Sequence, residues 1–217
     1  MPPPEWPNRA GFTAWTRHTV GTPPTLTTSS AARFAEWIRT IRFHPTVVTA
    51  RVDTWRRQAL EAAAEATRTH RDDPAKATYQ LRESARALRL ILVERWGERL
   101  GSMGREWTRF EHLADCHRKQ DLAARIAALA GADTTTAAQR ATLAPPWLQE
   151  RIDLCYAARL AVGEDVSPAE NARDQLAAFT VHVARHRPDL DGPWTGTPDQ
   201  ALDTHLAELR ELITELG

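Results

Sequence analysis

From Ser29 onward, apolar residues return every third or fourth position along this chain, with polar residues between them. That spacing places the apolar side chains on one stripe of a helix, and it predicts helices almost throughout. A first helix is predicted over 30–43, with Phe34, Trp37, Ile38 and Ile41 on one side. Pro45 ends it and opens a second, to about Arg71, carrying Val48, Val52, Trp55 and Ala59. A third begins at Pro74 with Leu81, Ala85, Leu88, Leu92 and, one turn on, Trp96, before a break bracketed by Gly101 and Gly104. A single long fourth helix is predicted from Arg105 to Ala130, through Trp107, Phe110, Leu113, Leu122, Ile126 and Leu129, with Gly131 closing it. Shorter helices follow over 134–143 and from Pro145-Pro146 to Gly163, the latter with Leu148, Ile152, Tyr156 and Leu160 inward. Two more carry Leu176, Phe179 and Val183, then Leu202, Leu206, Leu209, Ile213 and Leu216.

Three helix starts are marked by the same device, a small polar residue before proline: Asp73-Pro74, Ser167-Pro168 and Thr197-Pro198. The first residue caps the opening N–H groups, and proline at the first helical position sacrifices no hydrogen bond. Glu170 and Gln200, three residues after Ser167 and Thr197, add two capping boxes. Stripes of this width are buried by packing helix on helix. The fold class is therefore all-α, a bundle of about seven or eight helices formed by residues 29–217. Residues 1–28, rich in proline and threonine and without helical period, form an extended arm. Its Trp6 and Trp15 are candidate anchors on the helical body or on another protein.

Composition narrows the setting. The N-terminus, MPPPEWPN, lacks the basic and apolar regions of a secretory leader, and uninterrupted apolar stretches such as Leu90 to Val93 are far too short to span a bilayer. Cys116 and Cys155 suggest neither a disulfide framework nor a zinc ribbon, and they are expected as small buried side chains in a reducing cytoplasm. Only Lys76 and Lys119 among 28 basic residues are lysines, a bias that, with abundant alanine, points to a GC-rich coding sequence. Formal net charge is zero but polarised. Residues 1–71 carry 10 basic and 5 acidic side chains, 72–131 carry 11 and 9, and 132–217 carry 7 and 14. Such polarity steers a partner or pairs the two ends of one molecule.

The chemistry-bearing motifs are few. His182 and His186, one helical turn apart, can present two imidazoles to a metal, with His112 or His117 as further ligands. Val183 stands where a metalloprotease helix has glutamate, and Arg185 and Arg187 flank the pair. The di-iron pattern Glu-x-x-His is absent. Arg82, Arg86 and Arg89 repeat beside the leucine stripe of the third helix and could follow a phosphate backbone. The leucines from 202 to 216 suit either core or a dimer seam. There is no Gly-rich phosphate loop, Gly-x-Ser-x-Gly elbow or Cys-x-x-Cys, and no cofactor is predicted.

One segment carries a resemblance. Arg105-Glu106-Trp107-Thr108-Arg109-Phe110-Glu111-His112 resembles the spaced arginine and histidine of the HEPN ribonucleases, all-helical domains that often act as dimers. The resemblance implies His112 as general acid or base and Arg105 as the stabiliser of a charged phosphate. With packing signals abundant and convergent catalytic motifs scarce, the leading expectation is a non-catalytic interaction or accessory protein. It would work through a protein partner or its own copies. Nucleic-acid binding or HEPN-like cleavage, and a metal enzyme centred on His182 and His186, are the alternatives.

Overall fold

The computed structural model describes residues 32, 36, 40–100, 104–196 and 198–216. Among these it contains eight α-helices, two short 3-10 turns and no strand. The chain forms two compact units, residues 1–47 and 48–217. In the first, residues 40–42 are helical, and the Arg42 guanidinium lies 5.6 Å from the centre of the Phe43 ring. The rest of the predicted first helix lies for the most part outside the described residues, as do Trp6 and Trp15.

The helices are α1 (Pro45–Thr69), α2 (Pro74–Arg95), α3 (Glu106–Cys116), α4 (Gln120–Leu129), α5 (Thr134–Thr142), α6 (Pro146–Ala161), α7 (Pro168–His186) and α8 (Leu202–Glu215). Two of the three proline-marked starts are as predicted. Asp73 accepts the Lys76 N–H at 3.0 Å, and Ser167 and Glu170 exchange both bonds of a capping box. Asp133 likewise caps α5 through Thr136.

The third start is a correction: the last helix begins at Leu202, four residues after Pro198. Thr197 lies outside the described residues. No side chain caps this helix; Asp199 instead ties the approach to it, accepting the Ala201 N–H at 2.9 Å and pairing with the His205 imidazole, while its own N–H donates to Thr78 on α2. This bond to α2 holds residues 198–201 outside the helical path, a tertiary contact overriding a local signal.

The single long fourth helix is also corrected, because it divides into α3 and α4 at His117, Arg118 and Lys119. Between Leu113 and Leu122 only Ala114 is buried, so one straight helix has little apolar stripe to bury across that stretch. The chain turns by a left-handed residue, Arg118 at φ 55°, with Lys119 N–H bonded to Ala114 O at 2.8 Å and Arg118 N–H to Asp115 O at 3.0 Å. Those two bonds form a Schellman closure, which at the end of α4 is made with Gly131 and which favours glycine. A side chain in that conformation costs roughly 1–2 kcal/mol. Arg118→Gly is therefore expected to stabilise the fold by about 1 kcal/mol, raising Tm by roughly 2–4 °C in a scanning calorimeter. An unchanged or lowered Tm would contradict it.

Two apolar clusters hold the helices together. The larger joins α1, α2, α3, α4 and α8, with Leu81, Leu88, Ile91, Trp107, Phe110, Ile126, Leu206, Leu209 and Leu212 at its heart. The leucines of α8 are consumed here as core, which settles the choice between core and dimer seam for that stripe. The smaller joins α5, α6, α7 and Trp194. Trp194 meets Trp147 edge-on at 6.1 Å, with its indole N–H donating to Leu190 O. Six consecutive residues of α7, Asn171 to Leu176, are buried, because α3, α5 and α6 surround that stretch of the helix. On α6 the expected inward Leu160 is half exposed, and Arg159 takes the buried place beside Leu148 and Ile152. Cys116 is exposed and Cys155 half-buried, against the expectation that both would be core.

The charge polarity is partly spent inside the molecule. Arg125 on α4 reaches Glu208 and Glu215 on α8, and Arg105 pairs with Glu164. Exposed bridges of this kind contribute little to stability, but they fix which faces meet.

Candidate functional site

A cavity of about 740 Å³ opens between α3 and the segment joining α6 to α7. Arg105, Thr108, Arg109 and His112 are spaced three and four apart, so α3 turns all of them toward it. Arg159, Glu164, Asp165 and Glu170 form the facing wall, with Arg99 at the rim. The structure thus brings Arg105 and His112 into one concavity.

Beneath the floor lies a buried polar network centred on Asp174 of α7. Its carboxylate accepts the backbone N–H groups of Trp107 at 2.8 Å and Thr108 at 3.2 Å. It also accepts the Thr108 hydroxyl at 2.7 Å and Arg159 Nη1 at 3.0 Å. Arg105, the residue before α3, makes no side-chain cap, so α7 caps α3 from across the interface. This carboxylate at a helix N-terminus is favourable with the helix dipole as well as through its hydrogen bonds. Arg159 continues the chain to Glu164 at 2.7 Å, and Glu164 holds Arg105. Arg173, buried beside it, reaches Glu111 and the Thr108 hydroxyl. On the other side of α3, Arg89 pairs with Glu106 at 2.7 Å and stacks 4.3 Å over Trp107. Burial pulls the Arg89 pKa down, against the opposing pull of Glu106.

This arrangement holds groups still more than it frees them to react. Asp174 already accepts four hydrogen bonds, which leaves it no capacity to act as a base toward Thr108. Arg105 is neutralised by Glu164, and Glu111, Asp115, Asp165 and Glu170 also line the cavity. His112 is exposed, with Nε2 3.9 Å from Cys116 Sγ.

The other predicted sites are placed differently. Arg82, Arg86 and Arg89 do not form an outward row, because α2 is buried over most of its circumference. Arg89 is 4 % exposed, Arg86 pairs with Glu83, and Arg82 runs inward against Gly131 and Gly196. His182 and His186 lie on the exposed face of α7 with ring centres 5.3 Å apart. Among the described residues no three His, Cys, Asp or Glu side chains gather where they could hold a metal ion. His112 borders the large cavity and His117 stacks on Trp96 at 4.9 Å, so neither completes the pair.

Sequence reasoning missed Asp174, Arg159, Arg173 and Glu164. A signal was present, since Asn171, Arg173, Asp174 and Gln175 crowd around Ala172 and Leu176 on the helix that was to be core. Polar residues at interior positions call for partners on other helices. Set against protein-family models, curated proteins and solved structures, the chain matches none.

Proposed function

We propose that this is a non-catalytic helical interaction protein that docks through the outer face of α6, with a second copy of the chain as its partner. The observation carrying the reading is the distribution of exposed apolar side chains. Of the seven large hydrophobic residues that stand out from the described surface, five fall between 143 and 162: Leu143, Trp147, Leu154, Leu160 and Val162. Leu154 is 63 % and Val162 70 % exposed, and Ala157, Ala158 and Ala161 are exposed beside them. A helix with apolar residues on both its inner and its outer side has a second surface to cover, and contiguous apolar patches mark contact sites.

The face is also self-complementary. Trp147, Leu154 and Ala161 are spaced by sevens, two turns apart along one side of the helix. An antiparallel two-fold pairing centred on Leu154 sets Trp147 of one copy opposite Ala161 of the other, so a bulky end meets a small one. A single helix pair covers less than a standard interface, and the association is correspondingly weak. Analytical ultracentrifugation is expected to show a dimer that grows with concentration and is abolished by Leu154→Glu with the circular dichroism unchanged. A wild-type chain that stays monomeric at sub-millimolar concentration, or a Leu154→Glu variant that still dimerises, would sink the reading.

A nucleic-acid role is the second reading, supported by Arg105 and His112 lining one cavity. If the same Leu154→Glu protein binds an RNA oligonucleotide, and binding falls steeply with salt, the cavity takes precedence over the α6 face.

A further inference from the structure

We propose that the cavity between α3 and the segment joining α6 to α7 binds a small zwitterion with two carboxylates and one ammonium group, an acidic amino acid or a short peptide presenting one. The site uses none of the side chains of the α6 face and stands apart from the pairing of two copies. At about 740 Å³ the cavity falls within the roughly 300–1,000 Å³ range of small-molecule sites.

Most of the ionic groups that line it are already matched. Arg105 bonds to Glu164 across the opening, and Arg159 to Glu164 and Asp174. Glu111 holds Arg173, Asp115 takes the Gln120 amide at 2.6 Å, and Glu170 closes the Ser167 capping box. Three charged side chains are left. Among the described residues Arg99 and Asp165 have no side-chain hydrogen bond or ion pair. Arg109 approaches Glu98 only to 3.9 Å, too far for a hydrogen bond, and its side chain is 45 % exposed.

The chain itself places these three. Arg109 lies one helical turn beyond Arg105 on α3, and Asp165 follows Glu164 on the facing wall. The bridge from Arg105 to Glu164 therefore has an open rung beside it, with a cation on one wall and a carboxylate on the other. A ligand with its α-carboxylate on Arg109 and its ammonium on Asp165 would complete that rung. Arg99, at the rim, is then the partner for a second carboxylate. The planar fork of arginine suits carboxylates in both places. The His112 imidazole and the Leu100 side chain supply one further polar and one apolar contact.

Charge also decides what the cavity refuses. Among its described lining residues five carboxylates stand with four guanidiniums, so a polyanion such as RNA meets as much repulsion as attraction. A ligand carrying both signs is matched on both walls.

Isothermal titration of the full chain with L-glutamate, with sodium chloride at matched ionic strength as the reference, tests this. One saturable site per chain is expected. Glutarate, which lacks the ammonium, and L-glutamine, which lacks the second carboxylate, are each expected to bind about fivefold more weakly, the contribution of one exposed ion pair. Asp165→Asn is expected to bring glutamate down to the affinity of glutarate, and Arg99→Gln to bring it down to that of glutamine. Arg109→Gln is expected to abolish measurable binding. All three side chains are exposed, so the circular dichroism of the variants is expected to be unchanged. Leu154→Glu is expected to bind glutamate as the wild type does, which keeps a failure of this site distinct from a failure of dimerisation. Absence of a saturable site, equal affinity for glutamate and glutarate, or an Asp165→Asn variant that still prefers glutamate over glutarate would overturn the proposal. So would an RNA oligonucleotide whose binding is lost in Arg109→Gln while glutamate fails to compete with it, because the cavity would then belong to a nucleic acid.

Discussion

Asp174→Ala is expected to destabilise the protein by about 4 kcal/mol, within the range of 3–5 kcal/mol found when one member of a buried ion pair is removed. The carboxylate is 2 % exposed, so its loss leaves three groups with nothing to replace it. Arg159 keeps its buried charge with only Glu164 beside it, and Trp107 and Thr108 lose the acceptor for the N–H groups that open α3. Each unsatisfied buried donor carries a penalty of roughly 1–3 kcal/mol, offset where the helix end relaxes toward water. For a chain of this size the change corresponds to a fall in Tm of roughly 10 °C. Asp174→Asn keeps one oxygen for the helix cap and removes the charge facing Arg159, and about half the loss is expected. Urea unfolding measures both variants, with Asp203→Ala as reference because Asp203 is 90 % exposed. If Asp174→Ala unfolded at the same urea concentration as Asp203→Ala, the network would not be holding α3 and α7 together.

The network also explains which parts of the structure were legible in the sequence. Local signals were read correctly where they act alone. Asp73, Asp133 and Ser167 cap the helices they precede, and the spacings of α2 and α8 give their buried faces. They misled where a distant contact outweighed them. Thr197-Pro198 has every mark of a helix start, yet the bond from Asp199 to Thr78, 121 residues away, delays the helix to Leu202. Helical period alone ran α3 and α4 together, because it does not register a left-handed arginine at 118. On α6 the pattern favoured Leu160 over Arg159 as the inward residue, since hydrophobicity was the criterion. The true inward residue is an arginine that answers Asp174 on α7 and Glu164 after α6.

The candidate sites follow the same logic. The convergence of Arg105 and His112 was readable because both lie on one helix, where spacing fixes geometry. The inward course of Arg82, Arg86 and Arg89 was not. It depends on how many helices surround α2, and no stripe on α2 itself states that number. The exposed side of α6 was equally hidden: helical spacing set Leu160 inward and left Leu154 and Val162 without a role, and how much of a helix its neighbours cover is not written in its own sequence.

Trp107→Ala should cost about as much as Asp174→Ala, and for a different reason. The indole is 1 % exposed and packs edge-on against Phe110 at 6.0 Å, so its removal opens a cavity in the larger core, at a cost of roughly 3–5 kcal/mol. It also strips the face on which Arg89 rests. Among the described residues Arg89 has one hydrogen-bonded partner, Glu106, while its Nε and Nη1 are buried without one. The π-face 4.3 Å from the guanidinium therefore carries much of what keeps that charge tolerable, a contribution of about 2 kcal/mol in a desolvated setting. Trp107→Phe keeps an aromatic face and is expected to lose less than half as much. A double-mutant cycle separates packing from the cation contact. In the Arg89→Met background, where an apolar side chain replaces the buried charge, Trp107→Ala should cost about 1–2 kcal/mol less than in the wild type. If the cost were the same in both backgrounds, the ring would be acting as core filler alone, and Glu106 would have to account for the tolerance of Arg89 by itself.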